Sequence, residues 1–396
     1  MAIDRDYAIV SLQEYEPQLW TCINCFCGLC VESCPVFIEG RNEVGAARGM
    51  AQVGLALLSG ELELADLTDD LVYACTGCRW CEWNCSLNTP LYIKRTGTRR
   101  TKVSGATMAE IFRSMRAEEG QVPTQVRDAL NNLANVGNPF GGSKQTKDKW
   151  VADLGMSMEK TDTILYVGAT IPYEDRATKM AEAIVDVLKA AKIDVGMVGS
   201  KEMDSGAFAM MMGEDGLFAE MTEHNEEIIK NQGVRQIICV SPHDYDAFTA
   251  YYPTLDGLEI KHYTQLFLEL VHSRRIKFTK RINKRITYHD PCYLGRKNDI
   301  YDEPRKVLQS IPGLELVEMD KTRETAYCCG GGGTGLFYEL PKIKMNMTRA
   351  DHAKAKNVDC IAVACPICLQ MLDDGIKSRN YNIEIKDIGQ LVREAL

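Results

Sequence analysis

Nine of the sixteen cysteines in this chain fall before residue 86, in two runs. The first is Cys22-Ile-Asn-Cys25-Phe-Cys27-Gly-Leu-Cys30, closing on Cys34-Pro35, and the second is Cys75-x2-Cys78-x2-Cys81-x3-Cys85. A C-x2-C-x2-C run puts three thiolates on one loop around one face of a cluster, and its fourth cysteine starts a helix leading to another cluster. The spacing therefore predicts two cubane [4Fe–4S] clusters with exchanged fourth ligands. Cys34 joins Cys75, Cys78 and Cys81 on one; Cys85 joins Cys22, Cys30 and either Cys25 or Cys27 on the other. The first run holds an insertion, because counting back from Cys30 gives Cys27 and then Asn24, whereas counting forward from Cys22 gives Cys25 and then Gly28. The Cys27-Gly28 pair matches the usual sequence after a second ligand, so Cys27 is preferred, Cys25 is the alternate, and one of them is a spare thiol. Such chemistry is electron transfer.

The elements that must hold these thiols are legible in outline. Residues 1–103 carry both runs, with helical sequence at 46–58 and 62–74 between them, and read as a small ferredoxin-like helical domain built around its metal. Residues 104–160 form a helical linker. Amphipathic helices are expected at 107–119, stopped by Gly120, and at 123–136, with a proline in the first turn and Gly137 beyond the end. Asn138-Pro139-Phe140-Gly141-Gly142-Ser143 then breaks the pattern. Beyond it the sequence repeats, in halves at 161–280 and 281–396. Ile164-Leu165-Tyr166 lies over Ile286-Thr287-Tyr288, Asp204-Ser205-Gly206 over Cys328-Cys329-Gly330, and 233–244 over 357–368. Each half opens with a β-branched strand, runs through a helix (177–190; 303–310) and returns to an apolar strand (237–240; 361–364). Such alternation predicts an α/β fold with parallel sheets and with reactive groups at the carboxyl ends of the strands.

The second half carries Cys292, Cys328, Cys329, Cys365 and Cys368, in the pattern C-x35-CCG-x34-C-P-x-C. This resembles the cysteine-rich CCG domain of heterodisulfide reductase catalytic subunits and their relatives, and His289-Asp290-Pro291-Cys292-Tyr293-Leu294-Gly295-Arg296 matches the way that domain opens. A two-cluster ferredoxin domain fused to a CCG pair is a recurring layout of the family, so the resemblance covers nearly the whole chain. It implies a non-cubane [4Fe–4S] centre held by those five thiolates, which in family members can be the place of disulfide reduction. His289 is the candidate proton donor there. At the corresponding positions of the first half stand Thr170, Asp204, Ser205, Ser241 and Asp244. An iron–sulfur cluster wants sulfur ligands, so this half is a degenerate CCG-like domain without a cluster. Its Asp204, His243 and Asp244 leave a hard-metal or proton-relay reading open.

Other features exclude alternatives. Gly330 to Gly335 formally satisfies G-x-G-x-x-G, with Asp351 about 20 residues on as in a dinucleotide fingerprint. The adjacent cysteines and the helical setting of Asp351 argue against that, and the glycines let backbone approach a cluster. No flavin or nicotinamide site is expected. Met210-Met211-Met212 reads as buried helix, and Cys239 and Cys360 as buried structural thiols. A net charge of −9 disfavours nucleic acid, and the basic stretch Lys94, Arg95, Arg99, Arg100 and Lys102 reads as a solvated or partner-docking face. No run approaches a transmembrane span, and so many thiols suit metal in a reducing cytoplasm, with any membrane attachment made through partner subunits. The expectation is a heterodisulfide reductase-like oxidoreductase subunit of a larger anaerobic redox complex. It would work with flavoprotein and other iron–sulfur subunits and could act on a disulfide or thiol substrate. The alternative is a relay joining a flavoprotein dehydrogenase, of lactate, glycolate, glycerol-3-phosphate or acyl-CoA type, to another redox module or quinone.

Overall fold

The computed structural model describes residues 11–87, 104–159, 161–252 and 257–396. The basic stretch at 94–102 lies outside them. The amino-terminal part is helical, as expected. Helix Ala47–Ser59 packs on Glu16–Asn24 and ends on Gly60 in the left-handed region at φ 75°. Gly54 permits that packing, since a Cβ there would stand 2.9 Å from the Leu19 side chain. The continuous helix expected over 62–74 is not formed. A 3-10 turn at Leu64–Asp66 is followed by a separate helix, Asp69–Tyr73, because Thr68 stays extended and its hydroxyl accepts the Leu71 N–H at 3.3 Å, starting a new helix. Helices Gly105–Glu118 and Thr124–Val136 occupy the linker, the latter closed by Gly137 at φ 78°. A further helix, Lys144–Asp153, follows the break at 138–143, capped by the Ser143 side chain.

The repeat becomes two parallel sheets. The first has the order β1-β2-β3, with β1 Thr163–Tyr166, β2 Gln236–Cys239 and β3 Glu259–His262. The second has the order β5-β4-β6-β7, with β4 Lys284–Tyr288, β5 Leu314–Leu316, β6 Cys360–Val363 and β7 Glu384–Asp387. The bridge Ile164↔Gly196 stands in the first half where β5 stands in the second. Helix Asp175–Ala190 packs against both Pro366–Ser378 and Ile388–Ala395 of the other half. Apolar side chains from Leu12 to Ala395 form one continuous core through all these parts. The methionine helix Ala207–Met212, Cys239 and Cys360 are buried in it or beside it, as their sequence context implies.

Candidate iron–sulfur sites

The two amino-terminal runs do not fold as separate loops. Cys34 caps helix Pro35–Gly40, with proline at the first helical position, and this turn carries its thiol away from Cys30. Cys34, Cys75, Cys78 and Cys81 line one cavity, whereas Cys22, Cys25, Cys27, Cys30 and Cys85 line another, whose far wall Cys81 also touches. The charge neighbours of Cys81 are Cys78, Cys34 and Cys75, which places it with the first set. In the second run the chain curls tightly through Gly77 at φ 64° and Arg79 at φ 56° before helix Trp80–Trp83. Burial, reinforced by the neighbouring sulfurs, pushes Cys22 and Cys34 up to about 12 and Cys30 and Cys75 up to about 11. Thiols crowded in apolar walls resist ionisation unless a cation sits among them, a charge that iron would supply.

In the inserted run the Cys25 and Cys27 sulfurs are 3.3 Å apart and share the Ser86 hydroxyl, at 3.4 and 3.5 Å. Burial raises the Cys27 thiol, but hydrogen bonds from Ser86 and the Leu29 backbone outweigh it and leave the thiol below its ordinary value.

The five carboxy-terminal cysteines also converge. Cys292 follows β4, Cys365 follows β6 and caps helix Pro366–Ser378, Cys368 lies on the first turn of that helix, and Cys328-Cys329 enters from the loop after β5. Cys292 and Cys365 stand just past the carboxyl ends of parallel strands, where a crossover sheet leaves its crevice. The Cys368 and Cys329 sulfurs are 3.4 Å apart, and Cys328, whose sulfur accepts from the Gly330 N–H at 3.3 Å, has Cys292, Cys329 and Cys78 as its sulfur neighbours. Burial raises Cys365, yet hydrogen bonds from Cys368 and His243 pull it down to about 5. Hydrogen bonds from Cys328 and Cys368 hold Cys329 far below the ordinary thiol value, with Cys328 itself pushed the other way.

His289 offers a ring nitrogen within 4.8 Å of the Cys329 and Cys368 sulfurs. Its Nδ1 accepts from Arg349 Nε at 3.2 Å, and a guanidinium can only donate, so the neutral ring carries its proton on Nε2. Arg349 is fully buried, anchored on the Lys321 carbonyl at 2.8 Å, and has one nitrogen without a partner among the described residues. Arg296 has another such nitrogen. It donates to the Cys78 and Ala326 carbonyls at 2.6 and 2.7 Å, and its charge neighbours are Cys78, Cys292 and Cys328. Orphaned buried cations around a set of five sulfurs fit a polyanionic cluster that would accept from them. Arg349 has no signature in the sequence, because a cation-bearing helix beside a histidine leaves no local pattern.

The glycine run lets two loops approach closely. A Cβ on Gly332 would stand 2.4 Å from the Thr76 carbonyl oxygen, and one on Gly333 at 2.4 Å from that of Cys75. The Thr76 hydroxyl meets Cys328 Sγ at 3.2 Å. Arg113 ties the same loop down, donating to the carbonyls of Val72, Cys75 and Met211 at 3.1, 2.6 and 2.8 Å. The loop of Cys75 to Cys81 and the CCG loop are thus in backbone contact.

At the degenerate positions, Thr170, Asp204, Ser205, Ser241 and Asp244 are all buried. Their polar atoms serve one another: Ser205 Oγ donates to Asp244 at 2.7 Å, Asp204 accepts the Gly206 and Phe208 N–H groups, and Ser241 caps helix Pro242–Ala250. Burial pushes Asp204 up to about 6 and Asp244 well above the carboxylate range. Among the described residues no set of metal-ligating atoms converges in this half. His243 reaches Cys365 of the other half.

A family model for the 4Fe-4S dicluster domain matches residues 18–89, and one for the cysteine-rich CCG domain matches residues 286–373. One component of the dihydromethanophenazine:CoB–CoM heterodisulfide reductase of Methanosarcina barkeri is 30% identical over 96% of this chain and 94% of its own length. The chain belongs to this family. It is an iron–sulfur oxidoreductase-type subunit with two parts, a dicluster domain and a CCG domain. The iron-sulfur-binding oxidoreductase FadF of Bacillus subtilis is 31% identical, and the EtfAB:quinone oxidoreductase of Syntrophomonas wolfei 29%, each over 83% of this chain. The chain spans 47% of the length of those two relatives. No helix among the described residues is long and apolar enough to cross a membrane.

Proposed function

We propose that the chain carries electrons through two cubane [4Fe–4S] clusters to a non-cubane [4Fe–4S] centre, and that a disulfide-type substrate is reduced there. Cys34, Cys75, Cys78 and Cys81 would hold one cubane. Cys22, Cys27, Cys30 and Cys85 would hold the other, with Cys27 favoured over Cys25 by its lowered thiol. Cys292, Cys328, Cys329, Cys365 and Cys368 would hold the centre. When bound, these groups supply one-electron storage at separate stations and a soft metal site for a sulfur substrate. The division at residues 103, 160 and 280 goes with this reading, since each sheet lies within one of the last two parts.

One observation carries the proposal: the Thr76 hydroxyl, between Cys75 and Cys78, meets Cys328 Sγ at 3.2 Å, so the loop of near-cubane ligands touches a ligand of the CCG centre. Arg296 lies against both and would balance charge on either side. A cavity of about 330 Å³, lined by Thr76, Gly330, Lys344, Asn346 and Met371 among others, comes within one side chain of Cys328 and supports entry of a substrate. His289, its tautomer set by Arg349, would hold or deliver a proton beside Cys329.

At the far cubane, Phe26 is 75% exposed, Trp20 49% and Trp83 44%. Exposed aromatics around a thiol cavity suit docking of a flavoprotein partner that splits electron pairs. A relay role, like that suggested by the name of the EtfAB:quinone oxidoreductase, is favoured by the burial of Cys328, Cys329, Cys365 and Cys368.

Anaerobically prepared protein should hold about 12 irons per chain. It should accept electrons from a strong artificial donor and none from NADH, and then reduce an added disulfide. Saturation near 8 irons would refute the third centre, and full iron with no disulfide turnover would select the relay.

A further inference from the structure

The degenerate half has no cysteine at any of the five ligand positions, yet it sends one side chain into the site of the other half. His243 stands second on helix Pro242–Ala250, aligned with Ile367 beside the cysteines. Its ring is buried, and Nδ1 is 4.0 Å from Cys365 Sγ. The ring lies against Tyr293, the neighbour of Cys292, with centroids 4.0 Å apart and planes at 32°. Its Nε2 is buried with no partner among the described residues. A proton on Nε2 would therefore be a donor sealed from any acceptor, whereas on Nδ1 it faces sulfur. Burial thus selects the Nδ1–H tautomer.

The helix that carries His243 is held in place by a clamp. Asp246, one turn on, pairs with Lys297 at 2.7 Å, both side chains being under a tenth exposed, and accepts from Asn298 Nδ2 at 3.0 Å. Lys297 also lies 3.7 Å over the Tyr293 ring. The clamp joins this helix to the loop that bears Cys292 and so fixes the imidazole against that side of the site.

We propose that His243 is a positioning residue of the CCG centre: its Nδ1–H donates to the Cys365 sulfur and raises the reduction potential of that centre. The proposal rests on Cys365 being a cluster ligand. An N–H dipole aimed at a ligating sulfur favours the form with one more electron, which is how hydrogen bonds tune such clusters. It gives the cluster-free half a chemical role in the site.

The test uses the full chain, reconstituted anaerobically, with iron analysis and potentiometry followed by electron paramagnetic resonance. His243→Leu should keep about 12 irons and both cubane potentials. Its CCG centre should become harder to reduce by about tenfold in equilibrium constant, roughly 59 mV for one electron. His243→Asn, whose Nδ2 takes the place of Nδ1, should restore most of that loss. An unmoved CCG potential in His243→Leu, loss of four irons, or an equal shift at all clusters would each overturn the proposal. Wild-type protein holding only about 8 irons would instead refute the third centre itself.

Discussion

Gly332→Ala tests the backbone contact on which the electron path depends. The new Cβ would stand 2.4 Å from the Thr76 carbonyl oxygen, and ordinary contact begins at 3.4 Å, so the two loops must part by about 1 Å. Both sides of the clash are main chain, which cannot swing aside as a long side chain would. Overpacking of this kind costs about 1–3 kcal/mol. Moving Thr76 also forfeits its 3.2 Å hydrogen bond to Cys328, worth about 1 kcal/mol more. A total of about 2–4 kcal/mol lowers the melting temperature of a domain of ordinary size by about 4–16 °C. The assay is thermal melting under anaerobic conditions, with the signals of the clusters recorded on the same samples. The CCG centre and the Cys34/Cys75/Cys78/Cys81 cluster should be disturbed, and the outer one unchanged. Gly216→Ala is the control, since nothing lies within 4 Å of its Cβ on an exposed helical turn; it should leave stability equal or raise it by up to about 1 kcal/mol. A Gly332→Ala protein that melts with the wild type and shows unaltered cluster signals would refute the reasoning.

Cys34→Ser should abolish the same cluster signal as Cys75→Ser, and Cys85→Ser the same one as Cys22→Ser; loss of the Cys30-side signal in Cys34→Ser would mean the runs are independent. Cys329→Ser should remove the CCG signal while about 8 irons and both cubane signals remain. Asp387 lies fully buried, accepts from the Tyr263 hydroxyl at 2.6 Å, and is raised by burial from 3.8 to about 7. A carboxyl raised on folding contributes stability below its unfolded value that is lost as pH climbs through the folded one. Stability should therefore fall by up to about 4 kcal/mol between pH 4 and pH 8 on this account. Asp387→Asn should flatten that slope and exceed the wild type in stability at pH 8.5, by denaturant unfolding; an unchanged slope would refute the assignment.

The convergence of the thiols was legible because it follows from loop spacing, and loop spacing is local. Three cysteines at x2 intervals can only ring one small object, and Cys34-Pro35 announces a helix start. The repeat was legible because each half returns to an apolar strand just before its ligand positions. The single helix expected at 62–74 failed for an equally local reason, since Thr68 caps a new helix and the pattern of apolar residues alone does not register a cap. Strands β3 and β7, with their following helices, went unseen because Glu259–His262 and Glu384–Asp387 are too short and too polar to stand out.

What the sequence determined by itself is the inventory: which residues can take up iron, which half has lost its thiolates, and that parallel strands deliver their carboxyl ends to the site. Only the tertiary structure decided who meets whom. The approach of Cys78 to Cys328, the seating of Gly332 on Thr76, the turn of His289 by Arg349 and the reach of His243 across to Cys365 each join residues tens to hundreds of positions apart. Pairings at such separation leave no periodicity to read. They follow from the packing of one shared core, which places a polar side chain wherever the surrounding apolar surfaces leave room for it.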